Sequence, residues 1–140
     1  MIRILFFVLL LPVLNQCTRN SNLEPIDEYV LLNDRSSKVW LINRLLDGEK
    51  DYTPLQFEYR EVIVFHETRN AFFYTLNKMG QSPGKKMIYW MDTAEKTFGF
   101  RNEKHEYLFS IQYISRKKII LVPKLKTYKY TIELIPFPEF

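Results

Sequence analysis

From Ser37 onward the chain alternates apolar and polar positions in short runs separated by turn residues. Over 106–122, Tyr107, Phe109, Ile111 and Tyr113 alternate with Leu108, Ser110, Gln112 and Ile114, the period-two signature of a half-buried strand. Ser115-Arg116-Lys117 interrupts this run and a β-branched stretch from Ile119 to Val122 follows, which predicts a hairpin. The same pattern predicts strands over 37–46, 61–67, 71–77, 86–91, 96–101 and 126–134. In the last of these, Tyr128, Tyr130, Ile132 and Leu134 face one way, while Lys129, Thr131 and Glu133 face the other. Asp47-Gly48, Thr68-Arg69-Asn70, Asp92-Thr93-Ala94-Glu95 and Pro123-Lys124 supply turns. The stretch 49–58 holds Pro54 and no period, so it reads as a loop lying over one end of the sheet. A weak helical segment over 25–32 starts at Pro25, carries Asp27 and Glu28 in its first turn, and sets Ile26, Tyr29 and Val30 on one face.

About eight short strands in sequence predict an antiparallel meander with one apolar face per strand. The short helix is too small to cover those faces. Closing the meander on itself hides them and removes both edges. The predicted fold is therefore all-β: about eight antiparallel strands in an up-and-down barrel, preceded by a short N-terminal helix. Its inward set is Trp40, Val62, Val64, Phe73, Ile88, Trp90, Phe98, Phe100, Tyr107, Phe109, Ile111, Ile119, Leu121, Tyr128, Tyr130 and Ile132. Of these, Trp40, Phe73, Trp90, Phe100, Tyr107, Phe109, Tyr128 and Tyr130 are the candidate lining of a ligand cavity, because a tyrosine hydroxyl in an apolar wall suits a molecule with a greasy body and a polar tip. An eight-stranded barrel holds packed side chains or one small ligand. So many large aromatics predict a mostly filled interior with a narrow mouth.

The amino terminus has a different character. Met1-Ile2-Arg3 precedes an apolar run over 4–14, which fits a secretory signal and falls short of the ~20 apolar residues needed to span a bilayer. The single cysteine, Cys17, follows at once, with no partner for a disulfide in its own chain. Leu14-Asn15-Gln16-Cys17 resembles a bacterial lipobox. That resemblance implies a signal peptide over 1–16, acylation of Cys17, and a polar tether over 17–24 leading to a barrel domain over 25–140. Acyl chains contribute ~0.8 kcal/mol per buried methylene and would hold the protein on a membrane. The alternative is an ordinary cleavage nearby, leaving Cys17 as a free thiol on a secreted or periplasmic soluble protein.

Charge and composition remove other classes. The formal net charge is +4, and the surplus lies beside turns, at Lys85-Lys86, Lys117-Lys118 and Lys124 to Lys126, where lysines keep strands soluble. Nucleic-acid binding calls for a denser basic patch, so no nucleic-acid partner is expected. His66-Glu67 and His105-Glu106 sit in separate turns without metal-ligand spacing, so neither a metal nor a cofactor is expected. The four glycines are isolated and form no phosphate loop or nucleophile elbow. Glu58, Glu61 and Glu67 have no evident shield from solvent, and the chain does not read as an enzyme.

Three stretches carry a family resemblance. They are Ser37-Lys38-Val39-Trp40 after Leu31-Leu32, Tyr89-Trp90 with Phe98-Gly99-Phe100, and the run from Tyr107 to Ser115 with Ile119-Ile120-Leu121. Together they resemble the lipocalin-like barrels of small lipoproteins of Gram-negative bacteria, over 25–135. The resemblance implies a lipocalin-like fold and a place in the cell envelope, anchored at the outer membrane; binding of a small hydrophobic ligand or lipid is the leading reading of the barrel interior itself. Trp40 itself is expected to pack across the closed end, under a cation such as Arg116. The alternative function is structural, with a filled barrel and protein binding by the loops 51–59 and 79–85.

Overall fold

The computed structural model describes residues 28–138. The signal peptide, Cys17, the tether and the start of the predicted helix lie outside the described residues. A single helical turn, α1 (Val30–Asn33), leads into nine strands: β1 (Ser37–Asp47), β2 (Lys50–Asp51), β3 (Glu61–His66), β4 (Asn70–Thr75), β5 (Lys85–Asp92), β6 (Thr97–Arg101), β7 (Glu106–Ile114), β8 (Ile119–Pro123) and β9 (Thr131–Pro136). All neighbours are antiparallel, and β1 also pairs with β9. Eight strands thus form a closed up-and-down barrel, with β2 a two-residue flap on β1.

The alternation of side chains gives this barrel its inside. Trp40, Ile63 and Phe73 share one row across β1, β3 and β4, while Met91, Phe98 and Phe109 share another across β5, β6 and β7. Two strands run in the opposite phase to the predicted one. In β3 the residues in the buried core are Ile63 and Phe65, so Val62 and Val64 point outward. In β5 they are Met87, Tyr89 and Met91, so Ile88 and Trp90 lie on the outer wall. A slip of one residue exchanges the faces of a strand. Both alternating sets of β5 are apolar at their centres, but Lys86 and Asp92 charge both ends of the set holding Ile88 and Trp90, against the single Lys85 at the mouth end of the other, and the doubly charged set goes outward.

The eighth predicted strand also starts later. Only Thr131–Pro136 pairs, and 124–130 forms a strap. There the Leu108 N–H donates to Thr127 Oγ1 (3.1 Å), so a side chain takes the place of a ladder acceptor. Tyr128 and Tyr130 are therefore strap residues rather than members of a strand face. The loop over 49–60 is partly ordered by β2 and by a 3-10 turn at Phe57–Tyr59. Phe57 meets Phe137 (ring centroids 6.5 Å apart), which lays this loop along the outer wall beside β1.

The end of the barrel nearer α1 is packed solid. Trp40 is fully buried and its indole N–H donates to the Leu32 carbonyl (3.0 Å). The cation over its ring is Lys38, at 4.7 Å and paired with Asp34 (3.6 Å), in place of the expected Arg116, which sits on the exposed turn after β7. Buried Asn33 donates from Nδ2 to the Tyr89 hydroxyl (3.1 Å), which donates in turn to the His66 carbonyl (2.6 Å). The Tyr29 hydroxyl bonds both the N–H and the carbonyl of Met91 (3.2 Å each), at a point on β5 beyond the end of β4. Among the described residues no buried side-chain polar atom lacks a partner, as a dry end requires.

On the outer wall, Gly99 is where the Trp90 ring lies flat. A Cβ at Gly99 would stand 2.1 Å from Trp90 Cζ2, so only glycine admits the indole. Gly99→Ala is expected to lower the unfolding free energy by about 1–3 kcal/mol. In a Trp90→Ala background the same change should cost well under half as much, a coupling that urea melts of the four-protein cycle would measure.

Candidate functional site

The opposite end of the barrel is open. Connections 48–60, 76–84, 102–105 and 124–130 all rise there, because β1, β4, β6 and β8 end on that side. Between them lies a cavity of about 370 Å³ that runs into the upper half of the barrel. Its walls are Ile42, Phe73, Met87, Phe100, Phe109 and Ile132, and its rim is Glu61, Tyr74, Thr75, Lys85, Tyr107 and Tyr128. A broader depression of about 570 Å³ lies on the outer wall beside Lys86, Ile88 and Arg101. Its position on the barrel surface denies it an apolar enclosure.

Each strand contributes to the cavity by its phase. Glu61 opens β3 in line with Ile63, and Lys85 opens β5 in line with Met87, so both charged side chains stand at the mouth above apolar ones. Tyr128 hangs from the strap against Tyr107 (ring centroids 5.5 Å) and Phe109 (5.6 Å), both edge-on. The Lys85 ammonium lies 5.8 Å from the Tyr107 ring centre, a cation above an aromatic face.

Of the eight predicted lining residues, Phe73, Phe100, Tyr107, Phe109 and Tyr128 meet around this cavity. Trp40 belongs to the closed end, Trp90 covers Gly99 on the outer wall, and Tyr130 packs between Tyr128 (5.7 Å) and Tyr52 (5.4 Å) outside the lining. Ile42, Glu61, Tyr74, Thr75, Lys85 and Met87 were missed. Their signal was positional: once Trp40 points inward, Ile42 must follow, and the charged ends of β5 fix Met87.

Electrostatics at the rim differ from the expectation that solvent bathes the glutamates. Glu61 keeps access to water, yet the surrounding walls dehydrate its carboxyl and push its pKa up, with the Lys85 ammonium opposing. The Tyr128 hydroxyl is pushed up to about 12, first by burial and then by the negative charge of Glu61. His66 packs edge-on against Phe72 (5.3 Å) and His105 stacks on Tyr107 (6.0 Å), each as an aromatic neighbour. Among the described residues no cluster of His, Cys, Asp or Glu is placed to hold a metal ion. No helix among them is long and apolar enough to cross a membrane.

Neither a protein-family model, a curated protein nor a solved structure matches this chain.

A group whose pKa is raised by folding stabilises the fold while it stays protonated. For Tyr128 that contribution is complete below the ordinary tyrosine pKa of about 10 and is lost as pH rises toward about 12. Absorbance titration of phenolate should show a late step near pH 12 that Tyr128→Phe removes. For Glu61 the same sign holds lower on the scale, so Glu61→Gln should raise the melting temperature at pH 7, and the gain should vanish as pH falls below the ordinary glutamate range.

Proposed function

We propose that this chain is a lipocalin-like lipoprotein of the cell envelope, anchored to a membrane through acylated Cys17, whose barrel takes up a small amphipathic ligand through its open end. One observation carries the reading: a cavity of about 370 Å³ with apolar walls and a rim of Glu61, Lys85 and tyrosine hydroxyls. Pockets of this kind enclose an apolar body and orient it with a few polar groups at one end. Burial of the ligand chain against Phe73, Phe100 and Phe109 supplies the affinity, at roughly 25 cal/mol per Å² removed from water. The polar head stays at the rim among Lys85, Glu61 and Tyr128. The anchor rests on the lipobox-like Leu14 to Cys17 alone. The filled-barrel alternative is less favoured, because only the closed half is packed through.

Titration with fluorescent fatty acids or retinoids should give a saturable signal. Thr75→Trp, which places an indole in the mouth, should weaken it at least tenfold while leaving the melting temperature near that of the parent. A linear, unsaturable response of the parent would defeat the binding reading. Native mass spectrometry of detergent-extracted protein should find the mature chain starting at Cys17 with acyl mass added. A free thiol at that position would remove the anchor.

A further inference from the structure

The connections at the open end have features that the cavity does not use. Among the described residues, the two large apolar side chains most exposed to water, Leu55 (99%) and Leu125 (83%), both lie on those connections. Tyr52, Tyr59 and Met79, also exposed, lie on the same set of connections. The strap turn is a costly way to show a leucine to water. Leu125 and Lys126 are both left-handed (φ 56° and 54°), as in a hairpin turn that favours Asn and Gly, a region that residues with a side chain seldom adopt. The turn is nevertheless pinned: the Thr127 N–H donates to the Lys124 carbonyl (3.3 Å), and the Thr127 hydroxyl donates to the same oxygen (2.9 Å) while accepting from Leu108. A strained, fixed turn that holds one leucine between lysines is organised for an apolar phase beside negative charge.

Charge supports that reading. Residues 76–86 and 124–130 contain six lysines (Lys78, Lys85, Lys86, Lys124, Lys126 and Lys129) and no carboxylate. Lys129 caps the Tyr52 and Tyr130 rings (5.4 and 5.6 Å) and pairs with the half-exposed Asp47 carboxylate (3.6 Å), and tyrosine beside lysine is the pairing that suits a headgroup layer.

We infer that the open end of the barrel docks on an anionic lipid surface, with Leu125 and Leu55 inserted among acyl chains and the lysines of the two acid-free connections against lipid phosphates. This contact is separate from an N-terminal anchor, and it turns the cavity mouth toward the bilayer. A basic residue near an anionic leaflet contributes ~1 kcal/mol, about a fivefold change in the docking equilibrium.

The test uses full-length chain carrying Leu125→Trp, or Leu55→Trp in a second variant, mixed with vesicles of phosphatidylcholine containing phosphatidylglycerol and acyl-brominated lipid. Arg116→Trp, at the closed end, serves as the control. Because these positions are exposed, melting temperatures should match the parent. Both leucine variants should gain tryptophan emission that shifts to the blue and is quenched by the brominated chains, and Arg116→Trp should gain none. Adding Lys126→Gln and Lys129→Gln should weaken the docking equilibrium about fivefold each, and vesicles of phosphatidylcholine alone should give little quenching. Water-exposed, unquenched emission from both leucine variants would overturn the proposal even if the protein stayed on the vesicle through Cys17. Equal quenching at Arg116→Trp would overturn it too, since the barrel would then have no preferred end. Ligand titration in the absence of vesicles reads the cavity separately.

Discussion

Two ladders meet on β1, and their offset shapes the barrel. Residues from Ser37 to Leu41 pair with β3 on one edge, whereas those from Trp40 to Leu46 pair with β9 on the other. This stagger tilts the strands and lets eight of them close into a barrel. It also leaves part of one edge of β1 beyond the reach of β3. There β2 pairs with Leu46 and Asp47, the Tyr52 N–H donates to the Leu45 carbonyl (2.8 Å), and the Leu45 N–H donates to Thr53 Oγ1 (3.0 Å). The loop 48–60 thus completes an edge that would otherwise face water unpaired.

The two ends follow from where the polar groups sit. At the closed end every inward polar atom has a partner in the chain: Trp40 on Leu32, Asn33 on Tyr89, Tyr89 on His66. Such a network leaves no demand for water or ligand and fixes the side chains around it. At the open end Glu61, Lys85 and Tyr128 face one another across space, and their charges perturb one another instead of being hydrogen-bonded away. One barrel therefore has a finished end and a receptive end.

Much of the architecture was legible from period-two alternation. β6 and β7 have one apolar set and one mixed set, and the closing topology followed from the need to hide the apolar one. Phase failed where both sets were apolar. In β3, Glu61-Ile63-Phe65 competes with Val62-Val64-His66, and hydrophobicity alone does not decide between them. For that reason the acidic residue of the mouth was invisible until the pairing with β1 was known. The strap was misread as strand because Tyr128 and Tyr130 continue the alternation of β9, while the hydroxyl of Thr127 substitutes for the ladder. Five of the twelve residues around the cavity could be read in advance, among them Phe100, Tyr107 and Phe109, which lie on strands of clear phase.

The pairing of Trp40 with Pro136 joins the first strand to the last. Contacts between such distant parts of a chain set the pace of folding, and barrels built this way form slowly compared with helical domains of equal size. Until Thr131–Pro136 has emerged from the ribosome or translocation pore, β1 and β8 both wait with bare edges and an aromatic interior on view. In that interval the nascent chain is prone to aggregation, so a holding chaperone would act on the unclosed meander, and its release would coincide with delivery of β9.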